Sequence, residues 1–101
     1  MHAVIRRYGN VSSVDEVMRR VEADWAPLIR QAPGFIAYYA VDAGDGAAAS
    51  ISLFEEREQA EDAARRAADW VRDHLGSLSP NPPQVTAGEV RVHVVRRPVS
   101  A

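Results

Sequence analysis

The sequence predicts an α+β domain with its elements in the order β-α-β-β-α-β. Three observations carry this expectation. Apolar and polar residues alternate near both ends of the chain and through its middle. The two stretches between repeat apolar residues every three or four positions, as helices with one buried face do. An Asp-Gly pair divides the central alternating run, which marks a hairpin.

The first strand is expected from about His2 to Tyr8, where Ala3 and Ile5 alternate with Val4 and Arg6 before Gly9-Asn10 ends it. Ser13 opens a helix. Ser13-Val14-Asp15-Glu16 has capping-box spacing, with Glu16 placed to reach back to the Ser13 amide. Val14, Val17, Met18, Val21, Trp25, Leu28 and Ile29 form its apolar stripe. Asp15 with Arg19 and Glu16 with Arg20 are i,i+4 pairs in the favourable order. Pro27 removes one intrahelical hydrogen bond and predicts a kink. Pro33-Gly34 stops the helix.

A strand from Phe35 to Val41 follows, apolar on both faces: Phe35, Tyr39 and Val41 on one, Ile36, Tyr38 and Ala40 on the other. Asp42 to Gly46 makes the turn. Ala48 to Phe54 returns, with Ile51 and Leu53 opposed to Ser50, Ser52 and Phe54. The second helix is expected from about Glu56 to Leu75 or Leu78. Its buried stripe begins with Ala60, Ala63, Ala64 and Ala67 and continues with Trp70, Val71, His74, Leu75 and Leu78. The Ala half predicts close approach to the sheet, and the larger half a wider gap. Glu61 with Arg65 and Asp62 with Arg66 repeat the exposed pairing of the first helix. Ser79 to Pro83 is a stiff connector. Val85 to Val95 forms the last strand, with Val90, Val92 and Val94 on one face and Arg91 and His93 on the other.

This order makes residues 1–95 a single ferredoxin-like domain, with 96–101 as a C-terminal tail. Right-handed crossovers put both helices on one face of a four-stranded antiparallel sheet. The other face then needs a cover, and a second copy of the same sheet supplies one, forming a dimeric α+β barrel.

Composition narrows the function. At 101 residues with 47% hydrophobic and 26% charged residues, the chain is an ordinary one-domain globular protein. A net charge of −2 gives no electrostatic reason to expect nucleic acid or an anionic membrane as partner. All 12 basic residues are Arg, a coding bias more than a functional sign. Without Cys there is no disulfide framework, thiol nucleophile or thiolate metal site. No signal-peptide pattern or membrane-length apolar run is present, so a cytoplasmic protein is expected. No phosphate loop, dinucleotide glycine motif, zinc-helix motif or calcium loop is present, so neither a cofactor nor a metal is expected. Ser50 and Ser52 lack a His and a carboxylate at any spacing that makes a hydrolase triad.

Ala32-Pro33-Gly34-Phe35-Ile36-Ala37-Tyr38-Tyr39, the turn Asp42 to Gly46, Ser52-Leu53-Phe54-Glu55 and Ala68-Asp69-Trp70-Val71 resemble the antibiotic-biosynthesis-monooxygenase-like family of dimeric α+β barrel proteins. The resemblance covers nearly the whole chain and rests mostly on structural motifs. It implies a homodimer and a pocket between sheet and helices. In members that oxidise aromatic molecules without a cofactor, a helical Trp lines that pocket with nearby Asn, Tyr and Arg. Trp70 matches the Trp; position 66 is Arg where those members carry the Asn. Haem-degrading relatives imply an Asn, a Trp and an iron-ligating His, for which Asn10, Trp70 and His74 are the matching types.

The candidate catalytic residues are therefore His74 as base, with Trp70 and Tyr38 shaping the pocket. Each also has a plain structural reading, since a Trp or His on an apolar stripe most often belongs to the core and a Tyr most often bridges core and rim. Three functions follow, in order: a cofactor-independent monooxygenase of aromatic or polyketide-type molecules, a non-catalytic ligand-binding or accessory dimer, and a haem-binding or haem-degrading protein.

Overall fold

A computed structural model describes residues 1–96. Its elements are β1 (His2–Tyr8), α1 (Val14–Arg20), a π-helical segment (Val21–Trp25), α2 (Ala26–Arg30), β2 (Phe35–Gly44), β3 (Ala47–Phe54), α3 (Arg57–Leu75) and β4 (Gln84–Glu89). The sheet is antiparallel throughout in the order β2-β3-β1-β4. This is the ferredoxin-like α+β arrangement expected. The part of the expected tail after Arg96 lies outside the described residues.

The first helical stretch runs continuously through three segments. Ser13 caps it by accepting from the Glu16 amide at 3.3 Å. The Glu16 carboxylate does not reach back to complete the box; it pairs with Arg19, and with Arg20 at 2.8 Å. These pairs hold the carboxyl of Glu16 below its ordinary range, chiefly through the Arg19 hydrogen bond and then that of Arg20. The expected Asp15–Arg19 pair is absent among the described residues, where Arg19 pairs with Glu16 instead.

Pro27 leaves its mark as a widened turn. Without an N–H, and with a ring that would meet the carbonyl of Ala23, it cannot continue an ordinary α-helix. The preceding turn opens, and the Ala26 amide donates to the Val21 carbonyl five residues back. A wide turn advances the buried face by four residues at a time, so Val21, Trp25 and Ile29 stay in line within the core. Leu28, expected on the stripe, is 47% exposed.

The central hairpin turns at Asp45 and Gly46, both at positive φ as a type I′ turn requires. Its β2 strand carries an irregularity the alternation did not predict. Phe35 pairs with Phe54 and Ala37 with Leu53, so Ile36 is an extra residue, a β-bulge. Phe35 and Tyr38 consequently share the helix side, correcting their expected opposition. Phe35 meets the fully buried Phe54 edge to face, with centroids 6.0 Å apart.

α3 begins with a capping box in which Glu56 and Gln59 exchange side-chain and backbone hydrogen bonds. Its exposed ion pairs include Arg57–Glu61 at 2.7 Å, Arg65–Asp62 at 3.2 Å, and Arg72 with Asp69 at 3.3 Å and Asp73 at 3.2 Å; the expected Glu61–Arg65 and Asp62–Arg66 pairs are absent among the described residues. Such pairs contribute little to stability.

β4 ends earlier than expected, at Glu89, because β1 runs out: His2 is the partner of Glu89, and the Val90 amide makes one further bond to the Met1 carbonyl. Residues 91–96 have no neighbouring strand, and Val92 and Val94 are 83% and 87% exposed.

The capping box has a dependency that can be measured. Gly34 sits at φ +74, and a Cβ there would collide with the Gln59 side-chain amide. Gly34→Ala should destabilise the protein by about 2–4 kcal/mol, combining backbone strain with a disrupted cap. In a Gln59→Ala background the same change should cost less, since only the strain remains. Urea unfolding of the four proteins checks this; equal costs in both backgrounds would disprove the coupling.

Candidate functional site

The sheet presents its helix side in rows. Ala40, Ser50, Arg6 and Val85 are cross-strand neighbours in one row, and Tyr38, Ser52, Val4 and Ala87 in the next. The middle of this floor is small: Ala40, Ala48, Ser50 and Ser52. Above it pass Ala60, Ala63, Ala64 and Ala67 of α3. Small residues facing small residues leave space, and a cavity of about 60 Å³ lies between them. It was expected only beneath the larger half of the helix; it extends beneath the Ala half too, because the floor there is equally small.

The cavity has two kinds of wall. Trp25 and Trp70 form an aromatic side, their centroids 5.7 Å apart and their planes tilted by 39°. Arg6, Tyr8, Tyr38, Ser50 and Ser52 bring polar atoms up from the sheet. Arg6 Nε donates to the Tyr8 hydroxyl at 2.9 Å. Ser79 also borders the cavity, and its Oγ is buried with no hydrogen-bond partner among the described residues. Among the described lining residues there is no Asp, Glu or His.

Burial pushes the Tyr38 phenol up to about 12, with Tyr8 adding to the shift while Ser50, Arg6 and Trp25 oppose it. Tyr38 is therefore a neutral hydroxyl near neutral pH, able to donate a hydrogen bond and unsuited to act as a base.

Of the three candidate residues, the structure brings two together. Tyr38 and Trp70 border the cavity; His74 does not. The expected burial of His74 is corrected: it is exposed. Its ring stacks on Trp70 at 4.9 Å with planes 16° apart, and its Nδ1 lies 3.0 Å from the Trp70 carbonyl. The His74 carbonyl accepts from Arg20 at 2.8 Å, tying α1 to the end of α3. A helix spacing of four residues stacks one ring above another, and here only the inner ring faces the core. Asn10 is exposed in the turn after β1 and does not border the cavity either. Among the described residues no three His, Asp or Glu side chains gather to hold a metal ion, and no helix is long and apolar enough to cross a membrane.

Arg6, Tyr8 and Ser79 were not singled out from the sequence. The signal for the first two was present: alternation puts them in phase with Val4 on the core side of β1. Ser79 lies past the end of α3, where no periodicity applies.

No protein-family model matches the sequence, and no curated protein matches it. Solved structures do. A protein of unknown function from Nitrosomonas europaea, NE2512, superposes with a TM-score of 0.78 at 15% identity, over 95% of this chain and 94% of that one. A monooxygenase from the gene ActVA-Orf6 of Streptomyces coelicolor, solved with nanaomycin D, gives 0.73 at 18% identity, over 95% and 92%. SnoaB, a cofactor-independent oxygenase from Streptomyces nogalater, gives 0.70 at 15% identity, over 94% and 97%.

The elevated Tyr38 pKa makes alkaline stability informative. The folded value of about 12 exceeds the ordinary 10.0 of an unfolded chain, so the unfolded state loses its proton first. Stability should fall as pH rises from 10 towards 12, and Tyr38→Phe should remove part of that fall. Urea titrations at stepped pH test this; an identical slope in the variant would disprove it.

Proposed function

We propose that this chain, which has the fold of the antibiotic-biosynthesis-monooxygenase-like proteins, is a cytoplasmic, cofactor-independent monooxygenase of small aromatic or polyketide-type molecules, working as a homodimer. The observation that supports it most is the cavity itself: an apolar space between sheet and helices, with aromatic rings on one side and hydrogen-bond donors on the other. The oxygenases among the structures of like fold support the same reading.

The proposed reaction needs no outside reductant. A phenol and dioxygen give a quinone and water: one oxygen atom joins the ring carbon para to the hydroxyl, the other leaves as water, and the substrate supplies the electrons. Trp25 and Trp70 would hold the flat ring and exclude water. Tyr38 would donate to the oxyanion that develops on the substrate or on the adding oxygen. His74, outside the cavity, would brace Trp70 in place of the base expected from sequence. A cavity of about 60 Å³ holds only a few waters, so a fused-ring substrate must displace the walls to enter.

Oxygen-electrode measurements with naphthol- and anthrone-type phenols test the proposal. One dioxygen should be consumed per quinone formed, with one labelled atom retained from ¹⁸O₂. Trp70→Ala and Tyr38→Phe should each lower kcat/KM by about 10²-fold, and His74→Ala by less than about tenfold. Binding without oxygen uptake would favour the second reading, a non-catalytic ligand-binding dimer. The observation in favour of that reading is the lack of any Asp, Glu or His among the described lining residues.

The homodimer is proposed from the opposite face of the sheet. Tyr39, Ile51, Ile5 and Thr86 form one cross-strand row there, and Ala37, Leu53, Ala3 and Gly88 the next. Tyr39 is 55% exposed at the β2 edge of this largely apolar surface. Two such sheets face to face would bury the area of a stable interface, about 1,200–2,000 Å². Light scattering at micromolar concentration should give twice the chain mass of 11.1 kDa, and Ile51→Glu should give monomers. A monomeric parent protein would rule this assembly out.

A further inference from the structure

We infer that Arg6 anchors an ionised oxygen of the cavity's ligand, so that the ligand is an acidic aromatic molecule: a phenolate, an enolate or an aromatic carboxylate. The inference rests on the cavity being the ligand site and adds the charge of what it takes.

Arg6 is 7% exposed, in β1 between Val4 and Tyr8 on the helix side. Its Nε donates to the Tyr8 hydroxyl at 2.9 Å and its Nη1 to the Ala64 carbonyl at a long 3.5 Å. Both acceptors are neutral. A guanidinium carries five N–H donors, so these two contacts leave most of its capacity unused. Its Cζ also lies 5.8 Å from the Tyr8 ring centroid, another contact that holds the charge without neutralising it.

No carboxylate is within ion-pair distance of Arg6 among the described residues, whereas Arg19, Arg20, Arg57, Arg65 and Arg72 all pair with carboxylates on helix surfaces. The most buried of the described arginines is thus left without an anionic partner among the described residues. Burying an unpaired charge is costly, and the cost falls when an anion arrives. Arg6 borders the cavity and is the only charged side chain among its described lining residues. In that poorly screened setting its fixed fork of donors favours an anionic oxygen over a neutral one. Ser50, directly across from it in β3, supplies a hydroxyl that can donate to the same oxygen. Direct hydrogen bonds from the guanidinium favour the charged form of a bound phenol, against the burial that by itself raises a phenol's pKa, as it does for Tyr38. The ligand's own ionisation then stands in for a protein base, since no Asp, Glu or His is among the described lining residues.

Two flat probes of similar shape separate charge from fit. 2-Hydroxy-1,4-naphthoquinone is ionised at neutral pH, and 2-methoxy-1,4-naphthoquinone is its uncharged counterpart; both are followed by quenching of Trp25 and Trp70 fluorescence. The parent protein should prefer the acid. Arg6→Met should weaken acid binding by about tenfold or more while leaving the ether within about threefold, and Arg6→Lys should recover part of the loss. A second measurement needs no variant: saturating protein should lower the pKa of 4-nitrophenol by about one, read from its visible absorbance. Equal affinity for both probes with an unmoved 4-nitrophenol pKa would overturn the role of Arg6 and leave the cavity as a site for neutral ligands. An acid preference that survives in Arg6→Met would overturn it too. Failure of both probes to quench would overturn the cavity reading along with it.

Discussion

The extra residue at Ile36 is the constraint on which the site depends. Strand side chains alternate strictly, so a chain that buries Phe35 against Phe54 would ordinarily turn Tyr38 away from the helices. The bulge absorbs one residue between Phe35 and Ala37 and resets the phase. Phe35 can then fill the core beside Phe54 while Tyr38 faces the cavity, and Tyr39 and Val41 fall on the open face. One irregular residue decides which side of the sheet carries donors and which carries the apolar surface.

Regularity explains what the sequence made legible. The element order, the hairpin at Asp45-Gly46, the Ser13 cap and the Ala stripe of α3 each follow from a local rule that the fold obeys. The misreadings occur where a rule is broken by one residue. The bulge at Ile36 inverted part of β2, and the wide turn before Pro27 moved Leu28 to the surface. The end of β4 was misplaced for a different reason: a run of valines has strand character anywhere, but a strand exists only where a neighbour lies alongside, and β1 begins at His2.

The site was legible to the same degree. Trp70 and Tyr38 follow from stripe and strand, whereas His74 shows the limit of a helical stripe. A band of apolar residues is about a hundred degrees wide, and its margin is solvent. Arg6 carries a charge that in most proteins marks a surface residue. In β1 its position in phase with Val4 and Tyr8 outweighs its charge, and the one cation among the described lining residues sits where alternation puts it.

At one end of the cavity, three distant parts of the chain are fastened together. The Val11 amide donates to the Gly46 carbonyl at 2.9 Å, joining the β1–α1 loop to the hairpin tip. Ser12 donates to the Leu78 carbonyl through its amide at 2.9 Å and its hydroxyl at 3.2 Å, joining the same loop to the segment after α3. The Val11 bond waits on closure of the hairpin and the Ser12 bonds on docking of α3, and each closes a long loop whose entropy cost comes before any local gain. Contacts of such sequence separation are expected late in folding, so this end of the cavity should gain its wall only after the hairpin has closed and the helix layer has docked on the sheet.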